Sequence, residues 1–481
     1  MIKSITFSNF RNLNGKYYFN KQLSVVIGKN NSGKTNLLEG IRLAFSSITN
    51  DYFKISLSDF YNSDDHNNIE INVELTENSI PTLNFLNSEG KTECGFKVIV
   101  KRTQSGRYVK ECFLLNGSNV DMESLREDLE LPNLYFIPLI RIEDIYSAGL
   151  TTGISKFIDS EEKYKELKED SKNAIIDEIS EKRNKFKELC KMFNQDLDIE
   201  LTDPKFMNEK LYIVDGSKEH NYNIGSGYKS IANIMLNTLD EKFNIILIDE
   251  IENHLHPSLI RTLVRELRNV KNTIIIATTH SPVVINALDI DEIVDINCKR
   301  IDELSEDSIK KLNVFLHPGR NELMLAENVI MVEGYSEEIL LKAYLKTINH
   351  NWTIVNVAGV MFEPYIELAS LLNKKIVVVS DNDKSTTDGN KPSSRFSNLK
   401  ELCTSKSIKL IEVDNTVESD LYENHFLDNC LDLLKPHEKY PNIYIAKDKK
   451  KTEIALKLIE NETNLDNWHV LKEIKNELKG C

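Results

Sequence analysis

Long apolar runs are missing from this chain. A helix that crosses a bilayer needs roughly 20 consecutive apolar residues, and runs such as Ile245 to Ile248 stop far short of that. No membrane contact is expected. The N-terminus, MIKSITFSNFRNL, lacks an apolar core followed by a small-residue cleavage site, so the expected location is cytoplasmic. Cysteine is sparse: 7 in 481 residues, an odd number with no CxxC or other metal spacing. That argues against a disulfide framework or a zinc site and for buried thiols in a reducing compartment. Excess positive charge is also missing. A net charge of −15 excludes indiscriminate coating of nucleic acid and leaves only a local basic surface for that purpose. One candidate surface is KVIVKRTQSGRYVK, with Lys97, Lys101, Arg102, Arg107 and Lys110; a solvated hairpin is the plainer reading of the same stretch. No internal repeat or low-complexity tract stands out.

What is present describes a soluble globular protein: 41% hydrophobic and 28% charged residues. The length exceeds one ordinary core and predicts two or three domains. Residues 1–150 alternate short β-like segments with turns (SVVIG, IEINVEL, GFKVIVKR, LYFIP). Residues 155–200 lack Gly and Pro, are dense in Lys and Glu, and repeat Leu and Ile at helical spacing. They read as a helical insertion, either simply solvated or a dimer contact. Further on, NIILIDE and TIIIATTHS flank the helical SLIRTLVRELRNV, which predicts parallel βαβ units. After HPGRNE a new alternation begins (NVIMVEG, TIVNVAG, KIVVVSD), and the end of the chain reads as helical. The expectation is an α/β protein with domains 1–325 and 326–481, the second with a parallel sheet and a helical C-terminus.

Gly28 to Thr35, GKNNSGKT, follows the strand-like LSVVI and precedes the helical NLLEGIRLAF. It satisfies GxxxxGK[ST] in the strand–loop–helix context that the motif requires. Gly28, Asn30, Asn31, Ser32 and Gly33 would present backbone N–H groups to phosphate oxygens at a helix N-terminus. Lys34 would neutralise the β- and γ-phosphates, and Thr35 would contact Mg²⁺. IILIDE then ends an apolar strand in Asp249 and Glu250, a Walker B pattern in which Asp249 holds Mg²⁺ and Glu250 polarises the attacking water. One strand later, ATTHSP places His280 beside the expected γ-phosphate position.

ITFSNFRNL before the P-loop, together with Glu252-Asn253-His254-Leu255-His256-Pro257 after Walker B, resembles the ABC-type ATPases of the SMC/RecF class. The resemblance implies head-to-head dimers in which a signature serine of one subunit completes the ATP site of the other. NIGSGYKSI supplies Ser226 and Gly227 for that role, although it departs from the usual LSGGQ.

A second set of acids follows. NVIMVEGYSEE puts Glu333 at the end of an apolar strand and Glu337 at the start of a helix. VVVSDNDKS puts Asp381 and Asp383 after another strand, and VESDLYENHF adds Glu418 and Asp420. Clustered carboxylates raise one another's pKa unless cations neutralise them, and oxygen-only ligands favour Mg²⁺ or Mn²⁺. Taken singly, such acids read as caps or surface charges. The ordered set EGxxE, DxD, TxExD resembles the Toprim domain, and a Toprim domain behind an SMC-like ATPase resembles the OLD (overcoming lysogenisation defect) family of nucleases. That likeness brings in Gly334, Gly359 and Thr416, and a late lysine. Lys451 is the candidate, with Lys449 and Lys450 as neighbouring registers and a solvated basic run as the alternative.

The resemblance implies an ATP-regulated, metal-dependent DNA endonuclease or nickase, a homodimer or higher homo-oligomer. It further implies a role in defence against phage or foreign DNA, alone or with an accessory defence protein. The rival reading is an SMC/RecF-like repair or sensing ATPase whose Toprim domain only binds. A primase or topoisomerase is disfavoured, because no zinc-ribbon cysteine set or companion domain with a nucleophilic tyrosine is recognisable.

Overall fold

The computed structural model describes residues 2–19, 21–49, 52–76, 94–115, 133–137, 180–193, 197–201, 211–215, 225–239, 244–271, 273–297, 300–314, 318–346, 351–359, 362–384, 391–438, 443–447 and 450–479. The chain divides into two compact units, Met1–Arg300 and Ile301–Cys481.

In the first unit, β1 (Ile2–Phe10), β2 (Leu13–Tyr18), β4 (Ile69–Leu75), β5 (Cys94–Arg102) and β6 (Tyr108–Leu114) form an antiparallel sheet in the order β2-β1-β4-β5-β6. Its strands alternate: IEINVEL in β4 buries every second side chain, as expected of a sheet with one face on a core. A second sheet is wholly parallel. It contains β3 (Leu23–Ile27), β7 (Asn133–Ile137), β10 (Asn244–Ile248), β11 (Thr273–Thr279) and β12 (Ile293–Asp295), in the order β12-β3-β11-β10-β7. Continuous burial of LSVVI and TIIIATT follows from having both faces covered.

Helix α1 (Lys34–Phe45) lies between the two sheets. It places Leu37, Leu38, Ile41 and Phe45 in one core with Phe7 and Phe96 of the first sheet and Ile245 and Ile276 of the second. The expected helical insertion falls mostly outside the described residues; its last part is α2 (Ser180–Met192), followed by the antiparallel pair β8 (Leu197–Leu201) and β9 (Leu211–Asp215). Among the described residues the unit also contains helices α3 (Ser226–Asn237), α4 (Pro257–Asn269) and α5 (Pro282–Ala287). The amphipathic α4 begins at Pro257, capped by His256, and buries Ile260, Leu263, Val264 and Leu267, the i, i+3, i+4, i+7 stripe of a helix on a sheet.

In the second unit, β13 (Asn328–Val332), β14 (Trp352–Asn356), β15 (Lys375–Asp381) and β16 (Lys409–Val413) form a parallel sheet in the order β14-β13-β15-β16. The chain runs from β13 outward to β14, then crosses to β15 on the other side. β13 and β15 therefore flank a topological switch point, where open α/β sheets form a crevice beyond their carboxyl ends.

The helices of this unit are α6 (Glu306–Val314), α7 (Pro318–Leu325), α8 (Tyr335–Leu345), α9 (Phe362–Leu371), α10 (Ser394–Ser405), α11 (Val417–Glu423), α12 (Lys451–Glu460) and α13 (His469–Lys479). A short pair, β17 (Leu434–Pro436) and β18 (Tyr444–Ala446), precedes the last two. The compact units divide ahead of residue 325, because α6 and α7 pack on α9 and β14. Helices α12 and α13 bury Leu458, Leu471 and Ile474 in the core beneath β13 and β15, as the expected helical C-terminus requires. Among the described residues, no helix is long and apolar enough to cross a membrane, and Cys112, Cys190, Cys403 and Cys430 are buried free thiols.

Candidate nucleotide and carboxylate sites

The loop Gly28–Gly33 joins β3 to α1 at the carboxyl edge of the parallel sheet. Gly33 caps α1 with φ 102°, a left-handed conformation that favours glycine. A Cβ there would also come within 2.6 Å of the Asn12 side chain. The Lys34 ammonium folds back into the loop and donates to the carbonyls of Gly28 (2.9 Å) and Lys29 (2.8 Å). Burial lowers its pKa, opposed by Glu250, Asp249 and Glu252.

Thr35 Oγ1 donates to Asp249 (3.0 Å), and so does Thr278 Oγ1 (2.7 Å). One carboxylate thus ties the P-loop helix to the ends of β10 and β11. Glu250 has a left-handed backbone, φ 50°, and its N–H donates to Thr278 Oγ1. His280 Nδ1 lies 3.3 Å from Glu252 and 3.6 Å from Glu250, and Glu252 also accepts from Thr279 Oγ1 and His280 N–H. The structure therefore brings Lys34, Thr35, Asp249, Glu250 and His280 to one sheet edge. Ser226 and Gly227 open α3, and a Cβ on Gly227 would meet the His254 carbonyl at 2.5 Å. The start of α3 is thus packed directly on the segment that follows Asp249 and Glu250.

In the second unit, the parallel register of β13 and β15 carries Glu333 and Asp381 to adjacent strand ends. Ser380 Oγ donates to Glu333 at 3.4 Å. Glu337 lies in the first turn of α8 and Glu418 in the first turn of α11, whose N-cap, Thr416, accepts from Ser419 N–H. Glu337, Asp381 and Glu418 are 8%, 5% and 3% exposed. Burial pushes the Glu337 carboxyl up to about 7, with Glu418 and Glu333 adding to the shift against its own backbone hydrogen bond and Lys451. Burial, then Glu337, Glu333 and Glu418, raise Asp381 well above the usual carboxylate range. Asp381 Oδ1 and Glu418 Oε2 are buried without a hydrogen bond, although the Lys451 ammonium lies 3.5 Å from Glu418 Oε2. Burial would lower the Lys451 pKa, but Glu418, Asp381, Glu337 and Glu333 raise it overall, which keeps this lysine charged.

Two residues depart from expectation. Asp420 is not brought into this group. Residues two apart on a helix do not share a face, and where Glu418 turns inward, Asp420 accepts from the Trp468 indole N–H and lies 3.7 Å from His469 Nδ1. Asp383, left-handed at φ 51°, is held at 3.0 Å by Arg395, a residue the motifs did not single out. Arg395 also forks onto both oxygens of Glu333, at 2.8 and 2.9 Å, and donates to the Gly359 carbonyl. Its place in PSSRFSNL carries no motif; only the meeting of three strand ends reveals it. Among the described residues, no three His, Cys, Asp or Glu side chains converge closely enough to cage an ion as they stand.

Three of the five cations in the basic stretch of the β5–β6 hairpin have acidic partners. Lys97 pairs with Glu70, Lys101 with Glu111 and Arg102 with Asp65.

Family profiles divide the chain along the same lines. An AAA ATPase domain matches residues 1–198, an AAA domain named for the AbiEii toxin of type IV toxin–antitoxin systems matches 220–286, and an overcoming lysogenization defect protein-like TOPRIM domain matches 324–383. The chain thus carries an AAA ATPase domain and, after it, an OLD-like Toprim domain. The Toprim profile takes in Glu333, Glu337, Gly359, Asp381 and Asp383. Similar curated proteins include Endonuclease GajA of Bacillus cereus strain VD045, 23% identical over 458 residues (81% of this chain, 76% of that protein), and Endonuclease GajA of strain HuB5-5, 23% identical over 444 residues (76% and 61%). Similar solved structures include an SMC head bound to the C-terminal winged-helix domain of ScpA (16% identity, TM-score 0.44, 61% of this chain and 96% of that one). Another is the recombination mediator RecF with ATP (15% identity, TM-score 0.36, 58% and 92%).

Proposed function

We propose that this OLD-like chain is a divalent-metal-dependent DNA endonuclease or nickase whose Toprim site is governed by ATP binding and hydrolysis in the AAA unit. The observation that carries the reading is the buried trio Glu337, Asp381 and Glu418, with half-buried Glu333 at the rim and the Lys451 ammonium beside Glu418, at a topological switch point. Two of its carboxylate oxygens have no hydrogen bond. A purely structural cluster of this kind would be expected to satisfy those oxygens or to dispense with the charges.

The donor set is all oxygen, which suits Mg²⁺ or Mn²⁺. Glu337, Asp381 and Glu418 would hold the ion from below, and Glu333 and Asp383 would approach it from the rim. Bound there, such a cation supplies an activated water and a counter-charge for the leaving oxygen of a phosphodiester. The chain's own contribution is positioning. The strand ends hold Glu333 and Asp381 in register, α11 aims Glu418, and Lys451 keeps a positive charge where negative charge develops on the phosphate.

In the AAA unit, Lys34 would face the β- and γ-phosphates, Thr35 and Asp249 the Mg²⁺ of ATP, and Glu250 the attacking water, with His280 beside it. Ser226 and Gly227 would complete the site of a second copy in a homodimer. Support for nuclease chemistry comes from the two GajA endonucleases, of which the chain spans 76% and 61%. Defence against phage or foreign DNA, with or without an accessory protein, and a cytoplasmic location complete the proposal.

The test is supercoiled plasmid incubated with the full chain and Mg²⁺ or Mn²⁺, with and without ATP. Nicking or linearisation that disappears in Asp381→Ala, while ATP turnover persists, is the expected result. No cleavage under any of these conditions, with ATP turnover intact, favours the rival repair or sensing ATPase.

A further inference from the structure

Arg395 has no part in the motifs, yet it is tied directly into the carboxylate site. Its guanidinium donates to Glu333 Oε1 (2.8 Å) and Oε2 (2.9 Å), to Asp383 Oδ2 (3.0 Å) and to the Gly359 carbonyl (2.6 Å). These acceptors come from beyond three different strands, β13, β15 and β14. We infer that Arg395 is a built-in counter-cation: it holds Glu333 and Asp383 in the metal-free protein and gives them up when a divalent cation enters. The inference rests on the metal reading of this site.

Three observations support it. First, Arg395 stands in the first turn of α10, directly after the N-cap Ser393–Ser394 step. The helix dipole disfavours a cation at that end, so the carboxylates rather than the helix keep the guanidinium there. Second, Arg395 neutralises only the rim of the site. Asp381 Oδ1, whose charge Arg395 also feels, is left buried without a hydrogen bond, so the resident cation does not complete the group it belongs to. Third, a planar fork matched to both oxygens of one carboxylate occupies the very atoms by which Glu333 would ligate. A metal ion that takes Glu333 and Asp383 as ligands must therefore displace the guanidinium from them. Once released, it remains tethered to α10, a positive charge next to the site.

The test is Mn²⁺ binding, followed by calorimetry and by the loss of the free-ion electron paramagnetic resonance signal, on the full chain stripped with chelator and free of nucleotide. Asp381→Asn, whose loss of affinity marks the Toprim site, serves as the reference. Arg395→Gln is expected to tighten Mn²⁺ binding at that site about tenfold or more, the scale of one charge-assisted contact. Arg395→Lys keeps the charge but loses the fork and is expected to fall between. Tryptophan fluorescence verifies folding, and if Arg395→Gln does not fold, Arg395→Lys alone decides by the same criterion. Affinity that is unchanged or weaker in the folded variant overturns the inference while leaving the metal site standing. If Asp381→Asn binds Mn²⁺ as the unaltered chain does, the metal reading itself fails and takes this inference with it.

Discussion

Replacing Glu337 by Gln removes one ionisation from the buried carboxylate group and leaves its shape in place. Burial is the main reason its pKa stands at about 7 rather than the ordinary 4.5. A carboxyl that keeps its proton more firmly when folded makes the native state the better proton binder between those two values. Stability therefore falls as pH rises across that window. Below about 4.5 the group is protonated in both states and costs nothing; above about 7 the full penalty is present. The interval corresponds to roughly 3 kcal/mol, at about 1.4 kcal/mol per tenfold change in proton affinity.

Both tryptophans of the chain, Trp352 and Trp468, lie in the Ile301–Cys481 unit, so fluorescence excited selectively at tryptophan reports the unfolding of that unit. In urea titrations with chelator present, the Gln variant is expected to gain roughly 3 kcal/mol on the unaltered chain between pH ~4.5 and pH ~8. A shallower pH slope should remain in the variant, because Asp381 is raised in the same direction. Parallel pH profiles for the two proteins would refute the assignment of this penalty to Glu337.

Three further outcomes are expected in the AAA unit. Lys34→Ala should lose nucleotide binding, since the ammonium now resting on the Gly28 and Lys29 carbonyls is the loop's counter-charge for phosphate; tight binding of a fluorescent ATP analogue by the folded variant would contradict this. Glu250→Gln should bind ATP normally and turn it over about 10²-fold more slowly, and unchanged turnover would move the water-polarising role elsewhere. Gly227→Ala drives a Cβ to 2.5 Å from the His254 carbonyl and should destabilise the first unit by about 1–3 kcal/mol. Identical melting temperature and turnover would show that the two segments do not need their close approach.

Much of both sites was readable because their residues sit at strand ends, where a local pattern fixes position. An apolar run that stops in a carboxylate places that carboxylate at the carboxyl edge of a parallel sheet. IILIDE, NVIMVEG and VVVSD all do this. Of the three neighbouring lysines, Lys451 is 3.5 Å from Glu418 and Lys450 pairs with Glu453, while Lys449 lies outside the described residues.

What escaped depends on tertiary placement. Arg395 becomes part of the site only because the residues beyond β13, β14 and β15 meet around it. Asp420 was grouped with Glu418 by the spacing of a motif, but the short helix α11 turns the two apart, and Trp468, from the far end of the chain, claims the second. The basic hairpin, offered by the sequence as a candidate DNA surface or, more plainly, a solvated hairpin, carries acidic neighbours that only the tertiary structure reveals. Glu70, Asp65 and Glu111 cancel Lys97, Arg102 and Lys101 in pairs.

The pairing of β3 also constrains the order in which the protein can mature. The strand that launches the P-loop, Leu23–Ile27, has its ladder partners in Thr273–Thr279 and Ile293–Asp295. A chain growing from its N-terminus thus makes the phosphate loop long before the strands that will support it. The ladders of the antiparallel sheet from β1 to β6 pair only residues up to 114 and can form early on the ribosome, although its core partners Ile245 and Ile276 come later. Closing the parallel sheet waits for a contact spanning most of the first unit. Contacts of such separation are slow to form and leave apolar strand edges exposed in the interval. During synthesis, then, LSVVI and the apolar face of α1 stay exposed until those later strands arrive. A nascent chain arrested before residue 273 should be unable to retain ATP, however intact its glycine loop.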